Sequence, residues 1–122
     1  MSSVAFIIVY AIFFQNLIDN AIAYSYPNGI ITILLSSQDN FAQILVEDEG
    51  PGIPGHNLEK IFDPFVTDSP RTKKAGSHSG LGLSIARKIV RKHGGRIWAE
   101  NRIDSKGKII GSRFAVHIPL AP

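Results

Sequence analysis

The sequence predicts an α+β fold, a two-layer sandwich in which a mixed, mainly antiparallel sheet is covered on one face by about three helices. Three observations predict it. Helical and strand patterns occur in separate blocks, which disfavours a parallel α/β sheet. Two pairs of strand blocks flank turn residues and read as hairpins. The chain has 122 residues and is 44% hydrophobic, enough for one packed core and a single domain over 1–122.

The elements follow in order. Val4 to Phe14 is an uncharged apolar run. A membrane-spanning helix needs roughly 20 such residues, and this run passes instead into Asp19 and two asparagines. A secretory leader carries positive charge ahead of its apolar part, and Met1-Ser2-Ser3 carries none. The run is expected to be a buried strand or a helix start. So apolar a beginning suggests a larger parent whose other parts cover it.

Phe13 to Tyr24 reads as a helix, with Phe13, Phe14, Leu17, Ile18, Ala21 and Ile22 at helical spacing. Asn16, Asn20 and Tyr24 recur every fourth residue and share one face. Pro27-Asn28-Gly29 ends that element. Ile30 to Leu35 and Phe41 to Glu47 are β-branched runs around Gln38-Asp39-Asn40, a hairpin. Asp48 to Gly55 has three glycines and two prolines in eight residues, so the strand stops there. His56 to Phe62 suits a short helix. Asp63 to Ser79 has little periodicity, and a loop of that length in a small domain is usually functional or mobile.

Gly80 to His93 reads as a second long helix. Leu83, Ile85, Ala86, Ile89 and Val90 are expected inward, and Arg87, Lys88, Arg91 and Lys92 outward. Cations fill its last turn and Gly94-Gly95 closes it. Arg96 to Asn101 and Ile109 to Leu120 are the last two strands, around Asp104-Ser105-Lys106-Gly107.

Composition removes several function classes. There is no cysteine, so disulfide scaffolds and thiolate metal sites are excluded. A net charge of +3 does not require a nucleic-acid partner. The cationic helix face lacks the interleaved aromatics that stack bases. His56, His78, His93 and His117 are scattered, so a zinc site is not expected, and no Ser-His-Asp arrangement suggests itself.

Three segments suit chemistry. Two amides one turn apart, Asn16 and Asn20, need partners if buried. An amide oxygen is also a neutral ligand for Mg²⁺, which normally keeps water and phosphate in its shell. Asp48-Glu49-Gly50-Pro51-Gly52-Ile53 places an ionised acceptor beside glycines that let a flat ligand approach, and an exocyclic amine such as that of adenine is a matching donor. Ser79-Gly80-Leu81-Gly82-Leu83-Ser84 opens a helix with bare N–H groups, which favours phosphate. Arg71, Lys73 and Lys74 precede it. It is neither a Walker loop nor a Rossmann fingerprint. Each segment alone also fits an ordinary structural role.

Their order changes the weighing. Asn16-Leu17-Ile18-Asp19-Asn20-Ala21, Asp48 to Ile53, Lys60-Ile61-Phe62-Asp63-Pro64-Phe65 and Ser79 to Ile85 follow one another. The series resembles the N box, first glycine box, F box and second glycine box of bacterial sensor histidine kinases, from about Ile12 to the end. The resemblance implies the ATP-binding fold shared with gyrase-type and MutL-type proteins, and the following roles. Asn20 would ligate Mg²⁺, with Asn16 beside it positioning the metal or phosphates. Tyr24 would line the nucleotide site. Asp48 would accept the adenine amine, and Gly50, Gly52 and Ile53 would shape that pocket. Phe62 and Phe65 would anchor a mobile ATP lid over about Val66 to Ser79. Gly80, Leu81, Gly82 and Leu83, with Ser79, would meet the phosphates.

An amide at Asn16 stands where gyrase-like ATPases carry a water-activating glutamate, so hydrolysis is disfavoured and the γ-phosphoryl group is kept for transfer. Ala23 replaces a usual Lys or Arg and His78 a usual glycine; Lys73 or Lys74 is expected to supply the missing cation. No phosphoacceptor segment occurs. The implied partners are therefore a histidine-bearing dimerisation domain of the parent kinase and a response regulator. The fragment itself is expected to be monomeric and cytoplasmic, with membrane anchoring of the parent left open. A non-catalytic nucleotide-binding module and an anti-sigma-type serine kinase would share the fold.

Overall fold

The computed structural model describes residues 3–64 and 82–120, with the side chains of residues 3–10 and 12 left aside. Phe65, the expected lid over 66–79, Lys73, Lys74, Ser79, Gly80 and Leu81 lie outside the described residues.

Helix α1 spans Ser3–Tyr24, beginning ten residues before the periodic stretch. The apolar run is thus a helix start rather than a strand. No Pro, Gly or turn residue interrupts it, and β-branched residues lower helix propensity only slightly. Strands β1 (Thr32–Gln38) and β2 (Phe41–Glu47) form the expected hairpin. Gln38 pairs with Phe41 across a two-residue turn in which Asp39 takes a φ of 55°, a left-handed conformation that Asp tolerates.

The expected helix over 56–62 is instead two single 3₁₀ turns, Gly55–Asn57 and Lys60–Phe62. Their bonds run from Asn57 N–H to Pro54 O and from Asp63 N–H to Lys60 O, and the stretch is too short to propagate an α-helix. Helix α2 is Gly82–Lys92. It ends in a Schellman cap: Gly95 N–H donates to Val90 O, Gly94 N–H donates to Arg91 O, and Gly94 has φ 76°. Strands β3 (Arg96–Ile103) and β4 (Ile109–Pro119) complete a sheet of order β1-β2-β4-β3. Every pairing among the described residues is antiparallel.

Helices cover one face of this sheet, as a two-layer α+β sandwich requires. Phe13, Leu17 and Ala21 of α1 and Leu83, Ala86 and Val90 of α2 pack with Ile44, Val46, Phe114 and Val116. Alternation along β2 puts Ile44, Val46 and Asp48 on that same face. Two assignments on α2 need correction. Ile85 is exposed, whereas Ser84 is buried. Arg87, expected outward, keeps only 18% of its side chain exposed, because its guanidinium lies over the Phe62 ring. Strand β1 is exposed along its whole length.

Candidate functional site

Asp48 is fully buried where β2 leaves the sheet. Its own N–H donates to Ser112 O at 3.0 Å. Its Oδ1 accepts from Ser112 N–H at 3.0 Å, and its Oδ2 accepts from the Ser112 hydroxyl. Burial pushes the Asp48 carboxyl above its usual range, against the pull of the Ser112 hydrogen bonds and the charge of Arg102. A buried carboxylate held by neutral donors retains free lone pairs, so it can still accept from a ligand.

The glycine segment after Asp48 is fastened on both sides. A Cβ on Gly50 would run into the Tyr24 carbonyl, so the loop lies against the end of α1. Tyr26 N–H and the Ser25 hydroxyl both donate to Glu49 O, at 2.8 and 3.1 Å. On the other side Asn101 acts as a surrogate strand: its Oδ1 accepts from Ile53 N–H at 2.7 Å, and its Nδ2 donates to Ile53 O at 2.8 Å. Gly52 has φ 83°, and a Cβ there would lie 2.6 Å from Ile109 Cγ2 and 2.9 Å from Asn101 Oδ1. Only glycine fits such a position without strain. Gly111 lets β4 pass against the Asp48 carbonyl, which also accepts from Arg102.

A second corner lies between the helices. Gly82, the first residue of α2, faces α1 so closely that a Cβ would stand 3.5 Å from Asn20 Nδ2 and 3.6 Å from Asn16 Oδ1. Asn20 Nδ2 donates to Asn16 O at 2.7 Å. That bond fixes the amide and leaves Oδ1 as the atom Asn20 can offer a cation. Both asparagines are half-buried. Among the described residues no three His, Cys, Asp or Glu cluster as a metal site.

The structure therefore brings Asn16, Asn20 and Gly82 together, and separately ties Asp48, Gly50, Gly52 and Ile53 into one fastened loop. Ile53 and Phe62 are buried in the core. So is Tyr24, whose ring packs against Phe114 with centroids 5.9 Å apart. Leu83 is buried behind Gly82. Ser112 and Asn101 escaped sequence reasoning as site residues. Their positions after β4 glycine and on the core-facing register of β3 are the only signals that could have found them. A shallow groove lined by Ser36, Gln38, Phe41, Gln43 and His117 lies at the hairpin end of β2, opposite Asp48.

Comparison with known proteins gives the family and the fold. A family model described as histidine kinase-, DNA gyrase B-, and HSP90-like ATPase matches residues 10–122. The chain belongs to this family. Membership brings an ATP-binding fold with it. The sensor protein ChvG of Agrobacterium fabrum is 45% identical over 107 residues, covering 87% of this chain and 18% of that protein. This chain thus spans less than a fifth of that relative's length. The solved catalytic domain of histidine kinase ThkA superposes with a TM-score of 0.71 at 40% identity, covering 88% of this chain and 63% of the other. ThkA has also been solved in complex with the response regulator protein TrrA; that kinase chain matches with a TM-score of 0.68 at 37% identity, covering 90% of this chain and 28% of the other. Among the described residues no helix is long and apolar enough to cross a membrane.

Proposed function

We propose that this chain is the catalytic, ATP-binding domain of a two-component sensor histidine kinase, working on the cytoplasmic side where ATP is found. The observation that carries the reading is the meeting of Gly82 with Asn16 and Asn20. It puts two neutral amides beside the N-terminus of a helix, a setting suited to phosphate and a divalent ion. The buried, Ser112-held carboxylate of Asp48 supports the other half of the reading, since an acceptor at a strand end beside fastened glycines suits the adenine amine.

In this mechanism Asp48 accepts from the purine amine, and Gly50, Gly52 and Ile53 shape its pocket. Asn20 Oδ1 would hold Mg²⁺, which supplies charge neutralisation for the phosphates when bound. Asn16 positions the metal or the phosphates from the adjacent turn. Ser79, Gly80, Leu81, Gly82 and Leu83 would meet the phosphates, with Lys73 and Lys74 as additional cations. Phe62 and Phe65 would anchor the base of an ATP lid over about Val66 to Ser79. Phosphoryl transfer asks chiefly for positioning and charge neutralisation. Neither Asn16 nor Asn20 can act as a general base, so the γ-phosphoryl group is held for an outside nucleophile. That nucleophile is a histidine on the dimerisation domain of the parent kinase, and an aspartate of a response regulator takes the group onward.

Calorimetric titration with ATP, with and without Mg²⁺, tests the binding half. Saturable binding that tightens with Mg²⁺ is expected, and absence of binding overturns the reading. Incubation with ATP and a separately supplied histidine-bearing domain tests the transfer half, with acid-labile phosphate on that domain as the expected result.

A further inference from the structure

Arg87 stands apart from the other cations of α2. Lys88, Arg91 and Lys92 are exposed on its outer face. Arg87 instead turns back toward the 3₁₀ turn at Lys60–Phe62. Its Nη1 donates to Glu59 Oε1 at 3.3 Å and its Nη2 donates to Asp63 Oδ1 at 3.4 Å, so one guanidinium bridges the two residues flanking that turn. Its carbon centre lies 5.6 Å above the ring of Phe62, which is fully buried in the same cluster as Leu83 and Ala86.

We propose that Arg87 is a positioning residue for nucleotide binding: it fixes the Glu59–Asp63 turn against the first turns of α2, and so holds Gly82 in register with Asn16 and Asn20. The inference rests on the ATP-binding reading above. The bridge contributes little to global stability, because its carboxylates are 80% and 56% exposed and water screens such pairs. Its effect is local. Phe62 packs under α2 from the turn, and α2 begins at Gly82, where an added Cβ would come into van der Waals contact with both asparagines. A planar fork spans two carboxylates four residues apart, whereas a lysine ammonium reaches one at a time.

The test compares the wild-type chain with Arg87→Met, Arg87→Lys and Asp63→Asn. Mg-ATP affinity is measured by calorimetry at low and high salt, and the thermal midpoint is measured without nucleotide. Arg87→Met is expected to raise Kd about tenfold, with Arg87→Lys and Asp63→Asn intermediate at about threefold. The unliganded midpoint should move by no more than about 2 °C. High salt should narrow the gap between wild type and Arg87→Met, because it screens the bridge that only the wild type has. Equal affinities, a gap indifferent to salt, or a loss that merely follows a fall in midpoint overturns the assignment. If Arg87→Met fails to fold, Asp63→Asn decides, since it keeps the guanidinium on Phe62. A wild-type chain that binds no Mg-ATP refutes the functional reading itself, whereas wild-type binding matched by the variants refutes the Arg87 assignment alone.

Discussion

The Asp48 corner and the Asn16–Asn20–Gly82 corner are built on different principles. Around Asp48 every polar group is fastened: Ser112 holds both carboxylate oxygens, Asn101 holds Ile53, and the Ser25–Tyr26 turn holds Glu49. Between the helices, among the described residues, one hydrogen bond orients the Asn20 amide, and the facing residue of α2 is Gly82, which has no side chain. The first corner is tied down by hydrogen bonds within the chain; the second holds two half-buried amides with fewer such ties among the described residues. Preorganised hydrogen bonding suits recognition of a rigid, flat group, and a looser corner suits a metal that brings its own waters and phosphates.

Four experiments would break or sharpen that contrast. The largest effect is expected at Gly50. Gly50→Ala drives a methyl into the Tyr24 carbonyl and should cost about 3 kcal/mol of stability, as overpacking does; urea unfolding measures it.

Asp48→Asn should weaken ATP binding by about 1.5–3 kcal/mol, the worth of a charged hydrogen bond. It should also stabilise the free protein, in a pH-dependent way. The folded Asp48 carboxyl has its pKa raised by burial, so the unfolded chain releases this proton first. Wild-type stability therefore falls as pH rises from the ordinary aspartate range through the raised value, and recovers as pH drops below it. The variant lacks that loss. Thermal midpoints should show its advantage to be larger at neutral pH than near pH 4, and an advantage unchanged with pH would mean that the carboxylate is not penalised by burial.

Asn101→Ala leaves the Ile53 N–H and carbonyl without their partner and should cost about 1–2 kcal/mol, read as a shift in urea midpoint. Asn20→Ala should move stability least, by about 0.5 kcal/mol, while removing the Mg²⁺-dependent part of ATP binding. If Asn20→Ala destabilises as much as Asn101→Ala, the two corners are not different in kind.

The contrast also explains what the sequence disclosed. Glycines and asparagines at particular spacings report backbone demands that act locally, so the boxes containing Asn16, Asp48 and Gly82 were legible, as were both hairpins and the Gly94-Gly95 helix end. Ser112 and Asn101 were not, because their importance comes from strand pairing that brings Ser112 to Asp48 and Asn101 to Ile53 across 64 and 48 residues. The apolar run ahead of Phe13 left strand and helix start as alternatives because a run with no polar alternation has no period to read; it is the start of α1. Arg87 was read as a solvated cation because its spacing matches the outer face. The buried ring that draws it inward belongs to another element. Ile85 shows the converse, a residue counted inward by type yet left exposed.

Strand β1 has a practical consequence. Its seven residues, Thr-Ile-Leu-Leu-Ser-Ser-Gln, carry no charge and no proline, and form one margin of the sheet with every residue accessible. Proteins usually guard such margins with lysine, proline or a bulge, since a bare one is a template for stray chains. Concentrated preparations of this polypeptide should therefore be limited by clumping rather than by melting, and a single lysine in place of Leu34, which points away from the helices, is the simplest remedy.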